Sequence, residues 1–219
     1  MPKRQVIVVG LGRFGARVAR TLYQMGYDVL GIDTDEQLVQ ALVGQITYPV
    51  KADATNETVL RELGASHFDA AVIAIGSDVQ ASIMCTVLLK SMGMPYIVAR
   101  ARDDLHGRTL ARVGANRVVY PEQEMGERVA RSLFTPDVLE YMEVAPGFGI
   151  SKVRLPETFH GMTLKEAGLS GPRDKYGLAV LAIRRGKDVI LLPAEDERIQ
   201  PDDTVILAGK DDRLEKLRE

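Results

Sequence analysis

The residues with the clearest chemical potential stand near the start of the chain. Val9-Gly10-Leu11-Gly12-Arg13-Phe14-Gly15 has the spacing G-x-G-x-x-G, after a β-branched run and at the opening of a helical pattern. In that setting each glycine has its own task. Gly10 permits a tight turn, Gly12 lets the backbone approach a pyrophosphate, and Gly15 lets the helix pack close to the sheet. The helix amino terminus offers N–H groups and the positive end of its dipole to phosphates. Asp33 follows about 20 residues later, at the end of the next strand-like run, where a carboxylate bonds both ribose hydroxyls and repels a 2′-phosphate. The chemistry is nucleotide binding, with NADP disfavoured.

Arg13 is an unusual residue inside a glycine turn, because backbone N–H groups ordinarily hold the pyrophosphate. It reads either as a partner for additional negative charge, such as a γ-phosphate, or as an exposed first-turn arginine. Asp53, in Lys51-Ala52-Asp53-Ala54-Thr55, follows the third strand at the edge that holds the adenine, and is either a base contact or a helix cap. Ile75-Gly76-Ser77-Asp78 ends the fourth strand at the same edge. Gly76 permits close approach there, and Ser77 or Asp78 suits the cap of the next helix.

Six short runs must position these residues: Gln5–Val9, Val29–Ile32, Pro49–Lys51, Ala71–Ile75, Tyr96–Ala99 and Arg117–Tyr120. Helical patterns lie between them at Phe14–Met25, Asp35–Leu42, Thr58–Leu63, Val79–Met92 and Leu105–Val113. Alternation at this spacing predicts an α/β, doubly wound parallel sheet. The runs Val6–Val9 and Ala71–Ile75 are apolar throughout, as strands buried on both faces must be.

Beyond Tyr120 the pattern changes. Met125, Val129, Leu133 and Phe134 recur at helical spacing, Thr135-Pro136-Asp137 reads as a stop and new cap, and Val138–Met142 reads as a further short helix. Ala145-Pro146-Gly147-Phe148-Gly149 is the strongest loop signal and marks a domain boundary. The remainder predicts a small α+β module: strands at Ser151–Leu155, Leu178–Arg184, Asp188–Leu192 and Thr204–Ala208, a short helix at Leu164–Leu169 and a last one at Asp211–Arg218.

Composition excludes several classes. Among 219 residues, 28 Lys and Arg stand against 30 Asp and Glu, and neither half is a polycation, so nucleic-acid binding through counterion release is not expected. One cysteine, Cys85, excludes an internal disulfide, and its apolar helix makes it an inert buried thiol. No apolar run approaches the roughly 20 residues needed to span a bilayer. The amino terminus lacks the features of a signal peptide, so the cytoplasm is the expected location. His67, His106 and His160 are isolated from other metal-ligand types, and His106 reads as a helix-start or packing residue. No nucleophile–base signature is present.

The glycine motif with Asp33, Asp53-Ala54-Thr55, Val72–Gly76, Leu105-His106-Gly107 and Gly114–Glu122 together resemble the RCK (regulator of conductance of potassium) family. Lys152 to the end resembles its TrkA-C domain, and the likeness is greatest to soluble gating subunits of Ktr potassium-uptake systems. The resemblance implies residues 1–134 as a Rossmann-like nucleotide-binding domain with the start of crossover helices, 135–147 as crossover helix and linker, and 148–219 as the TrkA-C domain. It implies ATP, ADP or NAD(H) at Gly10, Gly12, Arg13, Phe14, Gly15, Asp33, Asp53, Ala54, Ile75, Gly76, Arg100 and Glu122. Arg13 would face the γ-phosphate, and Glu122 would stand at a subunit interface near a divalent cation, Mg or Ca. Val129, Leu133, Val138 and Leu139 would be interface.

The same resemblance implies dimers, then an octameric ring, bound at the inner face of the membrane to an integral potassium-translocating subunit. Cyclic di-AMP at the C-terminal domain is a further implied ligand, with Arg173, Lys175 and Tyr176 as candidates. The alternatives are an RCK regulator of another cation channel or antiporter, and an NAD-dependent dehydrogenase. The dehydrogenase needs an acid–base pair beyond the nicotinamide, and the C-terminal region offers only His160 without an obvious partner.

Overall fold

The computed structural model describes residues 4–133, 138–171 and 173–217. The chain divides into two compact units, Met1–Glu124 and Met125–Glu219.

The first unit alternates strand and helix: β1 (Gln5–Val9), α1 (Arg13–Gln24), β2 (Asp28–Asp33), α2 (Glu36–Gln40), β3 (Tyr48–Lys51), α3 (Glu57–Glu62), β4 (Ala70–Ile73), α4 (Val79–Ser91), β5 (Ile97–Arg100), α5 (Asp104–Val113) and β6 (Arg117–Val119). The sheet order is β3-β2-β1-β4-β5-β6, with every pairing parallel. This is the doubly wound order, and its direction reverses between β1 and β4. Period-two alternation sends neighbouring residues to opposite faces. Ile7, Val9, Leu30 and Ile32 join one buried cluster with Leu60, Cys85 and Leu89, while Val8 and Val29 join another with Leu11, Ala19 and Leu42. The continuous apolar runs therefore serve two helical layers.

α6 (Pro121–Leu133) carries the chain onward. The second unit holds β7 (Val138–Ala145), β8 (Phe148–Arg154), β9 (Ala179–Arg185), β10 (Asp188–Leu191), β11 (Thr204–Lys210) and α7 (Asp211–Glu215). Its sheet has the order β10-β9-β11-β8-β7, antiparallel throughout. Val153, Phe159, Leu178, Ile183 and Val205 lie in its core.

Three expectations need correction here. Val138–Met142 is not a helix but the first part of β7, paired with β8. Register shifts between Val138 and Glu140 and between Glu143 and Ala145 break the strict alternation that identifies a strand. Residues 138–147 thus fall within the second unit, and Val138 packs partly buried against that unit's core. Pro146-Gly147 is a hairpin turn, since Ala145 pairs with Phe148 and Gly147 has φ +73°. The loop signal is real, but it folds β7 onto β8. Finally, Leu164–Leu169 forms turns, not a helix. Ala167 N–H donates to Thr163 O at 2.9 Å, and Gly168 then takes φ +69° before a helix can propagate. Phe134, Thr135-Pro136-Asp137 and Arg218 lie outside the described residues.

Candidate functional site

A cleft of about 570 Å³ opens where the connections leaving the adjacent strands β1 and β4 part, outside the carboxyl ends of the strands. Gly10, Gly12, Asp33, Asp53, Ala54, Ile75, Gly76 and Arg100 all border it. Gly10 N–H donates to Ile32 O at 2.8 Å, and its φ of +89° turns the chain sharply out of β1. Gly15 is pressed against that turn: a Cβ there would lie 1.8 Å from Gly10 O. Gly12 differs, because a Cβ on it would meet nothing within 4 Å. The glycine turn therefore leaves open room directly above its backbone, the space a pyrophosphate would fill.

The other helices of this unit explain why α1 suits an anion. α2, α3, α4 and α5 begin on Asp35, Asn56, Asp78 and Asp103, whose side chains accept first-turn N–H bonds. α1 begins on Gly12, which has no side chain to cap with, and its first turn holds no acidic residue. Its leading N–H groups remain available to a ligand.

Asp33 braces this arrangement. Its Oδ2 accepts the Leu11 N–H at 2.6 Å and its Oδ1 accepts the Asp35 N–H at 2.9 Å. Each oxygen accepts one of these bonds and has capacity for another, and Asp33 borders the cleft, so the expected ribose role and the observed bracing are compatible. Asp53 is not a helix cap. Thr55 donates to its Oδ1 from both hydroxyl (2.7 Å) and backbone (2.9 Å), which holds the carboxyl below its ordinary range. A carboxylate fixed as an anion beside the cleft is an acceptor only, which suits the amino group of adenine. Asp78 is the α4 cap, accepting Ala81 N–H at 2.9 Å.

Arg13 is exposed at the first position of α1, and Arg13, Phe14, Gly15 and Glu122 do not border the cleft. Phe14 and Glu122 meet it through Arg100, whose guanidinium lies over the Phe14 ring and pairs with Glu122. Pattern reading missed Thr34, Ser77 and Cys85 as lining residues. Cys85 is fully buried, and burial, helped by the charges of Asp53 and Asp78, pushes its thiol up to about 12. It forms inert floor. The available signal was its place one helical turn after Ala81, which also borders the cleft.

His106 has the packing role expected of it. Its Nδ1 accepts the Arg102 N–H at 3.2 Å, and its own N–H donates to Asp103. Burial lowers its pKa from 6.5, against Asp103, which raises it, and with Arg102, which lowers it. The fold thus disfavours the imidazolium, and stability should fall as pH drops from above 6.5 toward the depressed folded value. Urea unfolding at pH 7.5 and 5.5 should show a smaller loss in His106→Gln than in the parent.

In the second unit, Lys165, Ser170, Arg173, Asp174 and Glu195 border a separate cleft of about 510 Å³. Tyr176 packs instead in the core against Phe159, with Lys175 4.7 Å from its ring centre.

Residues 6–121 match the TrkA-N domain and residues 150–219 the TrkA-C domain. The chain belongs to the TrkA-N/TrkA-C family. It is 35% identical over 207 residues to the Ktr system potassium uptake protein C of Bacillus subtilis (strain 168), covering 94% of this chain and 92% of that one. The AMP-bound C-terminal domain of Kef from Shewanella denitrificans is 26% identical, with TM-score 0.52, covering 60% of this chain and 82% of that one. The GsuK channel bound to NAD matches 99% of this chain with TM-score 0.53 at 22% identity, and this chain spans 38% of it. Among the described residues no helix is long and apolar enough to cross a membrane, and no three acidic, His or Cys side chains cluster to hold a metal. Glu122 is a single carboxylate already paired with Arg100, so the cation implied for it does not fit a site within one chain.

Proposed function

We propose that this chain is a nucleotide-sensing regulatory subunit of a potassium uptake system, without catalytic activity of its own. One observation carries the reading. The cleft of a Ktr-family chain combines an uncapped, glycine-led α1 with open space above Gly12, an Asp33 that fits ribose, and Arg100 at its rim. The ligand is an adenine nucleotide, ATP or ADP, with NAD(H) as the competitor. Copies of the chain assemble through the nucleotide units as dimers and a ring, and act at the cytoplasmic face on an integral potassium-translocating subunit. Exposed Met125, Val129 and Leu133 on α6 support a subunit contact there. Exposed Arg13 is then free to reach a γ-phosphate on a neighbouring copy, and a cation at Glu122 would need ligands from that copy. Arg173 and Lys165 beside the second cleft support a phosphodiester ligand such as cyclic di-AMP there.

Thermal unfolding with ATP, ADP, NADH and NADPH, with and without magnesium, tests this. A ligand at about 100 times its dissociation constant adds about 2.7 kcal/mol. That should raise the midpoint by roughly 5–10 °C for ATP and ADP, with no shift for NADPH, which meets Asp33. Stabilisation by NADH alone would overturn the adenine-nucleotide switch, and steady-state hydride transfer would overturn the regulatory reading. Cyclic di-AMP in the same panel should stabilise the parent and not Arg173→Ala.

A further inference from the structure

Arg100 is held from three directions and satisfied from only one. It ends β5, and its guanidinium covers Gly76 so closely that a Cβ there would stand 2.5–2.8 Å from it. Its Cζ lies 5.9 Å from the centre of the Phe14 ring. A terminal nitrogen pairs with Glu122 Oε1 at 2.5 Å. Its Nε is buried and has no hydrogen-bond partner among the described residues. The Glu122 side chain is 66% exposed and the Arg100 side chain 23%.

A guanidinium is a planar fork that pairs best with two oxygens at once. The contact with Glu122 uses one terminal nitrogen, and the buried Nε pays for that geometry with a missing acceptor. The same side chain borders the cleft together with Gly10 and Gly12. A phosphate group over the glycine turn would present several anionic oxygens to it, in competition with the single Glu122 contact. Arg100 cannot give its full fork to both anions.

We propose that Arg100 is a shared cation: paired with Glu122 in the nucleotide-free chain, it turns to the phosphates of a bound nucleotide and releases Glu122. This deepens the nucleotide reading and rests on it. Glu122 stands in the first turn of α6, the element through which the chain leaves the nucleotide unit. Release of the pair reports phosphate occupancy to the start of that helix. Adenosine, lacking phosphate, fills the cleft without breaking the pair.

Calorimetric titration of the full chain with adenosine, ADP and ATP, in EDTA to exclude divalent cations, tests the exchange. Glu122→Gln removes the competing anion and should tighten ADP and ATP by about tenfold, the worth of one charge-assisted bond, while leaving adenosine unchanged. Arg100→Met should weaken both nucleotides by about tenfold, and in that background Glu122→Gln should have no further effect. Unchanged adenosine affinity in each variant shows that the cleft is still folded. The exchange is overturned if Glu122→Gln leaves ADP and ATP unchanged or weaker, if adenosine shifts equally, or if its effect survives without Arg100. If the parent binds no nucleotide, the nucleotide reading itself fails and the exchange falls with it. If nucleotides bind with no dependence on either side chain, only the exchange fails.

Discussion

Alanine at Gly12 is expected to abolish nucleotide binding without harming the fold, whereas alanine at Gly15 is expected to harm both. Gly12 has φ −62° and ψ −172°, a conformation open to any residue, and its Cβ would meet no atom within 4 Å. Stability should stay within about 1 kcal/mol of the parent, because alanine also reduces the freedom of the unfolded chain. The added methyl would occupy the space where the backbone and a pyrophosphate must meet, so the ligand-induced rise in unfolding midpoint should vanish. Gly15 has no such room. Its Cβ would lie 1.8 Å from Gly10 O and 2.9 Å from Ala74 Cβ. Gly10 is fixed by its bond to Ile32 O, so α1 must move away from the sheet. Overpacking against backbone should cost about 3 kcal/mol and lower the midpoint by roughly 10 °C. Undiminished ATP and ADP shifts in Gly12→Ala would remove the phosphate from the glycine turn.

The contrast between these glycines also shows how far a linear pattern reaches. The spacing of Gly10, Gly12 and Gly15 belongs to one turn and one helix, so local geometry assigns each its task. The parallel sheet was legible for the same reason: strands buried on both faces read as apolar runs, separated by amphipathic helices. The second unit was less so. β7 carries two register shifts, which erase the alternation a strand should show, and Tyr141 within it is placed by distant partners. Its ring covers Gly149, and its hydroxyl donates to Asp211 at 2.9 Å. Nothing near Tyr141 in sequence announces either contact. The cleft divides likewise. Glycines and aspartates at strand ends were legible as lining residues. That Asp33 already braces Leu11, and that Arg100 joins Phe14 to Glu122, depends on groups brought together from separate strands, helices and turns.

Replacing Arg185 by methionine is expected to destabilise the second unit by about 3–5 kcal/mol, the penalty for leaving a buried charge uncompensated. No motif marks this residue, yet it ties β9 to the segment before β11. Its Nε and a terminal nitrogen donate to the two oxygens of Asp203 at 3.0 and 2.9 Å, and further bonds reach Glu197 and the Arg198 carbonyl. The Asp203 side chain is only 1% exposed. Without Arg185 it would keep the Gln200 N–H at 2.9 Å and little else. These bonds to Asp203, ahead of the opposing burial, hold the guanidinium further above its already high ordinary pKa, so raising the pH does not discharge it. Arg185→Lys should recover only part of the loss, because an ammonium cannot form the two-pronged pair. Arg185→Met with Asp203→Leu should recover more, since an apolar pair leaves no buried charge. Urea unfolding of the three variants decides this. Equal loss in the single and double methionine variants would show that β9 packing, and not the stranded Asp203 carboxylate, sets the cost. Nucleotide-induced stabilisation of the first unit should survive in all three, because its cleft is lined wholly by residues of that unit.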